Sequence, residues 1–401
     1  MIDRLLAPHA GRGAVLRLLF GAALASAWLA ACGGAAATTT VPAGGAGSSA
    51  AGDASHGGGA PTQSLPRLST KQLAGARVIY AYAGLRPPAS LLSQIRHGDV
   101  GGVIFFGSNV SSLAQIHGVV GRLQAAAKVS PTHLPLLLMT DQEGGQVRRL
   151  PGAPVKSEKQ IGEQRNATRA ASRAGTGAGR LLASVGMNVN LAPVLDVYRT
   201  AGDFDDQFQR SYSSDPAKVA RLGSAFVRAQ QRTGVAATVK HFPGLGAASA
   251  SQNTDERPVT LHVPLSQLRS IDERPFQSAV GAGTKLVMTS WAVYPALDRS
   301  RPAGLSSKVI GGELRTRLGF KGATITDSID AGALEHYGGL GNRAVLAARA
   351  GADLILCSQP SSGAQGSSVV RALAHAISTG TVGRSATRAA VSRILALRRH
   401  P

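Results

Sequence analysis

Acidic side chains are scarce in this 401-residue chain, with 22 Asp and Glu against 43 Lys and Arg and a formal net charge of +21. Aromatic residues are scarcer still, at 4%. The positive charge is not organised for nucleic acid. It is scattered, with only short pairs such as Arg148-Arg149 and Arg398-Arg399, and no aromatics interleave with it, so no nucleic-acid partner is expected. A diffuse field of this sign suits anionic surfaces such as phospholipid or acidic wall polymers; an Ala- and Arg-heavy composition without functional meaning accounts for it equally well. Two cysteines exclude a disulfide-rich scaffold. The chain has neither a G-x-G-x-x-G nor a G-x-x-x-x-G-K-[ST] segment, so nucleotide binding is not expected. Glu143-Gly144-Gly145 has no metal-ligand partners at useful spacing, and neither a metal nor an organic cofactor is implied. What is present is a hydrophobic content of 43% with abundant Gly and Ala, enough for a large aliphatic core with tightly packed helices.

Long apolar runs are also missing. The longest candidate, Leu18 to Ala31, is short for a membrane span and rich in small residues. It follows Arg4, Arg12 and Arg17 and ends in Leu29-Ala30-Ala31-Cys32-Gly33, which resembles a bacterial lipobox. That resemblance implies a signal peptide over residues 1–31, lipidation of Cys32, and an exported chain anchored to the extracytoplasmic face of a membrane. An ordinary secretory signal with an Ala-x-Ala-like cleavage site is the alternative. Residues 32–65 are Gly, Ala, Ser, Thr and Pro with almost no large apolar side chains. Such a stretch buries too little surface to offset its ordering entropy, and reads as a flexible tether. Cys357 closes the apolar run Leu354-Ile355-Leu356 and reads as a buried, inert thiol.

From residue 66 to 401, short β-branched apolar runs alternate with longer helical patterns, which argues for βα units and a parallel sheet. The strand candidates are Val78–Tyr82, Val103–Phe106, Leu136–Thr140, Asn188–Leu191, Ala236–Val239, Leu286–Thr289, Ala323–Thr326 and Leu354–Leu356. Amphipathic stretches lie between them, such as Asp215–Arg232 and Leu265–Ala279. Eight strands over this length predict an α/β fold, a single (β/α)8 TIM barrel, and not an open doubly wound sheet. Asp141, Asp196, Lys240, His241 and Asp327 each fall at or just after a candidate strand's C-terminal end. In such barrels those ends converge on one face, where catalytic groups sit. Any one of these residues alone is equally readable as a helix cap; five together are not.

Four segments carry a family resemblance: Asp141-Gln-Glu-Gly-Gly145, Leu191-Ala-Pro-Val-Leu-Asp196, Lys240-His-Phe-Pro-Gly244 and Ile325-Thr-Asp327. Arg210-Ser-Tyr-Ser-Ser-Asp-Pro216 resembles a further segment of the same family. Together they make the chain similar to glycoside hydrolase family 3, in its single-domain bacterial β-N-acetylglucosaminidase branch. The resemblance implies a retaining exo-glycosidase that releases terminal β-linked N-acetylglucosamine, with peptidoglycan fragments as the expected source and a monomer as the expected state. Asp327 would be the nucleophile, and Asp141, Arg210, Lys240 and His241 would bind sugar hydroxyls. A nearby cation is expected to keep the Asp327 pKa low. Structural readings stand beside two of these roles: Lys240 as an ion pair with a strand-end carboxylate, and His241 as a satisfied core histidine. The Phe242-Pro243 bond is a candidate for the cis form.

The pattern departs from the family in the loop after Lys240-His-Phe-Pro-Gly244. The branch usually carries an Asp-Ser-His acid/base segment there, whereas this loop holds no His and reads Asn253-Thr254-Asp255 at the corresponding place. Asp255 is therefore the candidate acid/base, with Glu256 as its rival, and a mobile loop is expected to bring it to Asp327. Trp291 also stands where a His is expected, either stacking on a sugar or filling the barrel mouth. Three alternatives remain at this stage: a β-glucosidase-type enzyme, a phosphorolytic enzyme of the same family, and a non-catalytic glycan-binding lipoprotein.

Overall fold

The computed structural model describes residues 67–360 and 363–401. The expected signal peptide, lipidation site Cys32 and tether lie outside the described residues. Eight parallel strands close into a barrel: β1 (Val78–Tyr80), β2 (Gly102–Ile104), β3 (Leu137–Thr140), β4 (Val189–Asn190), β5 (Ala236–Phe242), β6 (Leu286–Thr289), β7 (Ala323–Ser328) and β8 (Leu354–Leu356). Each strand pairs with its neighbour in sequence and β8 returns to β1, as a (β/α)8 barrel requires. The principal helices are α1 (Ala89–His97), α2 (Leu113–Lys128), α3 (Ala167–Ser184), α4 (Pro216–Gln231), α5 (Arg274–Gly281), α6 (Leu340–Ala350), α7 (Ala364–Ser378) and α8 (Arg384–Arg399). No helix among the described residues is long and apolar enough to cross a membrane.

All eight expected strands form, and two run further than their apolar residues suggest. β5 continues through Lys240 and His241 to Phe242, and β7 through Asp327 to Ser328. The extension of β5 is held by backbone bonds: Lys240 N donates to Pro193 O, and Leu195 N donates to Lys240 O at 2.7 Å. Lys240, His241 and Asp327 thus belong to the strands themselves. The amphipathic stretch Leu265–Ala279 is not one helix. It is interrupted before α5, where Pro275, lacking an N–H, is accommodated only in the first turn of a new helix.

Side chains alternate across a strand, so every second residue enters the barrel. Leu137 and Met139, Ala236, and Ala323 and Ile325 belong to the interior cluster, which also holds Ile79, Val189 and Leu354. Continuing those alternations by two or four residues reaches Asp141, Lys240 and Asp327. Aliphatic layers thus plug the barrel from below, and the same parity delivers charged groups at its upper end. Outside, the Gly- and Ala-rich composition serves close helix packing. A Cβ on Gly175 of α3 would lie 2.4 Å from Phe226 O of α4, and one on Gly179 would lie 2.1 Å from Thr233 Oγ1. Cys357 is fully buried with a free thiol whose pKa burial pushes up, as befits an inert core residue.

Candidate active site

Asp141, Glu143, Arg210, Lys240, His241, Asp255 and Asp327 line one pocket at the C-terminal ends of the strands, walled by Val147, Phe204, Leu245 and Met288. The pocket brings together Asp141, Arg210, Lys240, His241, Asp255 and Asp327 from the residues expected from the sequence, but not Asp196 or Glu256. The local sequence explains how. In Asp141-Gln-Glu-Gly-Gly145, Gln142 ties down the following hairpin: its amide donates to Leu150 O and Ala153 O, and its Oε1 accepts from Arg149 N and Leu150 N. Gly144 has φ of 116°, and a Cβ there would lie 2.3 Å from Lys156 O, so the turn that presents Glu143 requires glycine.

Glu143 is the hub of a buried ion network. Arg210 grips it bidentately, Nε and Nη2 each at 2.9 Å, while Lys240 Nζ lies 2.7 Å from Glu143 Oε1 and 2.7 Å from Asp141 Oδ1. Arg210 Nη1 also donates to Asp205 Oδ1 at 2.8 Å. Burial alone would raise the Glu143 pKa, but Arg210 and Lys240 outweigh it and hold the carboxyl down to about 2. Lys240 is therefore both an ion-pair partner and a pocket-lining group. Asp141 Oδ2 is buried without a hydrogen-bond partner among the described residues, an acceptor that a ligand hydroxyl would satisfy.

Asp196 does not line the pocket. Fully buried, it accepts from Leu245 N at 2.6 Å and lies 2.7 Å from His241 Nδ1. It thereby fixes both the imidazole and the turn after β5. Burial pushes the His241 pKa down to about 4, so the ring is neutral; with Nδ1–H donated to Asp196, Nε2 is left as an acceptor. Around it the Lys240–His241 and Phe242–Pro243 peptide bonds are cis. Asp196, Asp205 and His241 each offer a ligand atom within 4.8 Å of the others, a spacing a metal ion would accept. Asp196 Oδ2 and His241 Nδ1 are already paired with each other and Arg210 Nη1 donates to Asp205 Oδ1, while Asp205 Oδ2 has no hydrogen-bond partner among the described residues.

Asp327, 8% exposed, ends β7 and accepts from Ser328 N at 2.7 Å. The expectation of a low pKa is overturned. Burial raises it, Asp255 raises it further by like-charge repulsion, and the opposing effects of His241 and Lys240 do not outweigh them. Burial likewise raises Asp255. Both residues line the same pocket. The loop that carries Asp255 is already docked: Asp255 O accepts from Gly332 N at 2.8 Å, and Thr254 O from Ala333 N at 3.1 Å. A Cβ on Gly332 would lie 2.1 Å from Glu256 O, so the close approach depends on glycine. Glu256 is exposed and accepts from Asn253 Nδ2, and it is absent from the pocket lining. Trp291 is 1% exposed, donates its indole N–H to Ser328 O at 2.8 Å, belongs to the same buried cluster as Leu305, Ile310 and Ile329 and does not line the pocket, so it is not a sugar platform.

Residues 67–397 match the model of the glycosyl hydrolase family 3 N terminal domain. The chain belongs to this family. A secreted glycosyl hydrolase of Arthroderma benhamiae, itself uncharacterised, is 46% identical over 326 residues, covering 81% of this chain and 92% of the relative. A beta-hexosaminidase of Xanthomonas oryzae pv. oryzae is 33% identical over 321 residues, covering 77% and 92%. Among solved structures, the family 3 β-N-acetylglucosaminidase of a Paenibacillus species superposes with a TM-score of 0.78 at 35% identity. That match covers 83% of this chain but only 62% of the Paenibacillus protein. The β-N-acetylhexosaminidase of Beutenbergia cavernae gives 0.76 at 29% identity, covering 84% of this chain and all of the neighbour. As a member of family 3 the chain is a glycosidase. Sequence reasoning left Asp205 out of the site and missed the hub role of Glu143. Asp205 has no strand-end position to betray it, and Glu143, though inside the Asp141–Gly145 segment, carries no local sign of its partners Arg210 and Lys240.

Proposed function

We propose that this family 3 enzyme releases terminal β-linked N-acetylglucosamine with retention of anomeric configuration, using Asp327 as nucleophile and Asp255 as acid/base. The observation that carries the reading is the meeting of these two carboxyls in one pocket, with relatives and structural neighbours named as hexosaminidases supporting the substrate. In the first step Asp327 attacks the anomeric carbon as protonated Asp255 gives its proton to the departing glycosidic oxygen. In the second, Asp255 takes a proton from water, the water oxygen bonds to the anomeric carbon, and Asp327 leaves. The raised pKa of Asp255 suits a group that starts protonated. As the glycosyl-enzyme consumes the Asp327 charge, Asp255 ionises more easily, which is the role change the second step needs.

Asp141, Arg210, Lys240 and the Nε2 of His241 bind the sugar hydroxyls, with Glu143 holding the two cations in place. A carboxyl at the acceptor position repels a phosphate dianion, which favours water over phosphorolysis. Export and anchoring through Cys32 would place the pocket beside the wall, with peptidoglycan fragments as its substrate. The lipobox-like run and the secreted relative support this reading. Proton NMR of an aryl β-N-acetylglucosaminide digest tests the mechanism. The β-anomer of N-acetylglucosamine should appear first, and initial release of the α-anomer would refute retention.

A further inference from the structure

The acids and bases of this protein are segregated: the acids gather at the site and inside, while Lys and Arg dominate the outside. Two adjacent helices, α3 and α4, carry one such basic face. Arg169, Arg173 and Arg180 on α3, with Arg221 and Arg228 on α4 and Arg232 just after it, are all exposed. No described carboxylate lies within ion-pair distance of any of the six. Neither helix contains an acidic residue. The spacings of four and seven residues put each set on one helix face, as two rows of roughly 16 Å. Gly175 and Gly179 let the helices touch, so the rows run beside each other, and Arg180 and Arg232 meet across a groove with Thr176, Ser184 and Thr233.

Such rows are unfavourable in isolation. Like charges four residues apart repel, and Arg169 stands in the first turn of α3, where the helix dipole disfavours a cation. A polyanion laid along the rows, from the groove at Arg180 and Arg232 up to Arg169 and Arg221, would relieve both penalties. The surroundings select its kind. The exposed large apolar side chains of the described chain are Leu85, Leu113, Val129, Val155 and Leu265, none of them on these helices, so the face lacks the anchors of a membrane-inserting surface. It also lacks aromatic residues for stacking bases, since Phe226, the single aromatic of the two helices, is fully buried. We infer that the α3–α4 face binds a linear, non-nucleic polyanion, with the planar guanidinium at all six positions suited to bidentate contact with phosphate oxygens. The groove lies at the C-terminal ends of the helices, beside the strand starts, and therefore opposite the pocket at the strand ends. A polymer held there leaves the catalytic mouth open, so binding retains the enzyme without competing with substrate.

Fluorescence anisotropy with long-chain inorganic polyphosphate tests this on the full chain at near-physiological salt. Wild type should bind, with affinity falling as salt rises. The quadruple variant R173E/R180E/R228E/R232E should bind about tenfold more weakly or worse, and the milder R180Q/R232Q should show a smaller loss in the same direction. Both should keep wild-type turnover of an aryl glycoside, which also certifies their folding. Unchanged polyphosphate affinity in the active variants would overturn the proposal. So would wild-type binding to phosphatidylglycerol vesicles or single-stranded DNA in preference to polyphosphate.

Discussion

Asp327 and Asp255 reach the same pocket by different routes, one at the end of a barrel strand and the other on a long loop after β5. The strand fixes Asp327 through its ladder with β6, where Ala323 to Thr326 pair in register with Leu286 to Thr289. Asp255 has no such ladder. Its position rests on an Asx-type bond from its own N–H to Asn253 Oδ1 at 2.9 Å and on the two backbone bonds to Gly332 and Ala333. Those acceptor carbonyls dock onto the segment that follows β7, so the strand that presents the proposed nucleophile also seats the proposed acid. A group that forms a covalent bond needs fixed geometry throughout. A group that shuttles a proton needs only to be present at each proton transfer, and a loop suffices for that.

The largest expected effect tests the rigid partner. Asp327→Asn keeps the shape and the hydrogen bond from Ser328 N but removes the nucleophile's charge. Turnover of an aryl β-N-acetylglucosaminide should fall by roughly 10⁴-fold, with thermal unfolding little altered. A variant with near wild-type turnover would take the nucleophile role away from Asp327.

Asp255→Ala tests the loop partner, and its effect should depend on the leaving group. Substrates with poor leaving groups should lose roughly 10²- to 10⁴-fold in kcat/KM, whereas dinitrophenyl glycosides, which need no proton, should be much less impaired in the glycosylation step. The pH profile gives a second readout. Asp255 must be protonated to act as acid, and burial raises its pKa, so the alkaline limb of kcat/KM should reflect its ionisation above the ordinary carboxylate range. That limb should disappear or move in Asp255→Ala. Equal losses on all substrates with an unchanged profile would reduce Asp255 to a structural residue.

How much of this was legible in the sequence follows the same division. Strand-borne groups were readable because a β-strand writes its parity into the chain: Ala323, Ile325 and Asp327 share one face, as do Ala236, Thr238 and Lys240. The barrel itself was readable from eight apolar runs separated by helical stretches. Groups whose roles depend on contacts between loops were less so. Glu143 gains its meaning only when Arg210, 67 residues away, folds onto it. The Asp327 pKa lies above the expected range because burial, and the like charge of Asp255 from a loop distant in sequence, outweigh the cations near it. The choice between Asp255 and Glu256 turned on a chain reversal that no local pattern announces.

That last choice supplies the smallest expected effect. Asp255 and Glu256 are adjacent, so only the direction of each side chain separates them, and the close packing of Gly332 against Glu256 O fixes that backbone. Glu256 points outward, exposed and bonded to Asn253 Nδ2, a bond its amide counterpart can still accept. Glu256→Gln should therefore change stability by no more than about 0.5 kcal/mol and leave the leaving-group dependence and alkaline limb as in wild type. A loss in Glu256→Gln confined to poor leaving groups would transfer the acid role from Asp255 to its neighbour. It would also mean that the docked loop rearranges before the proton is delivered.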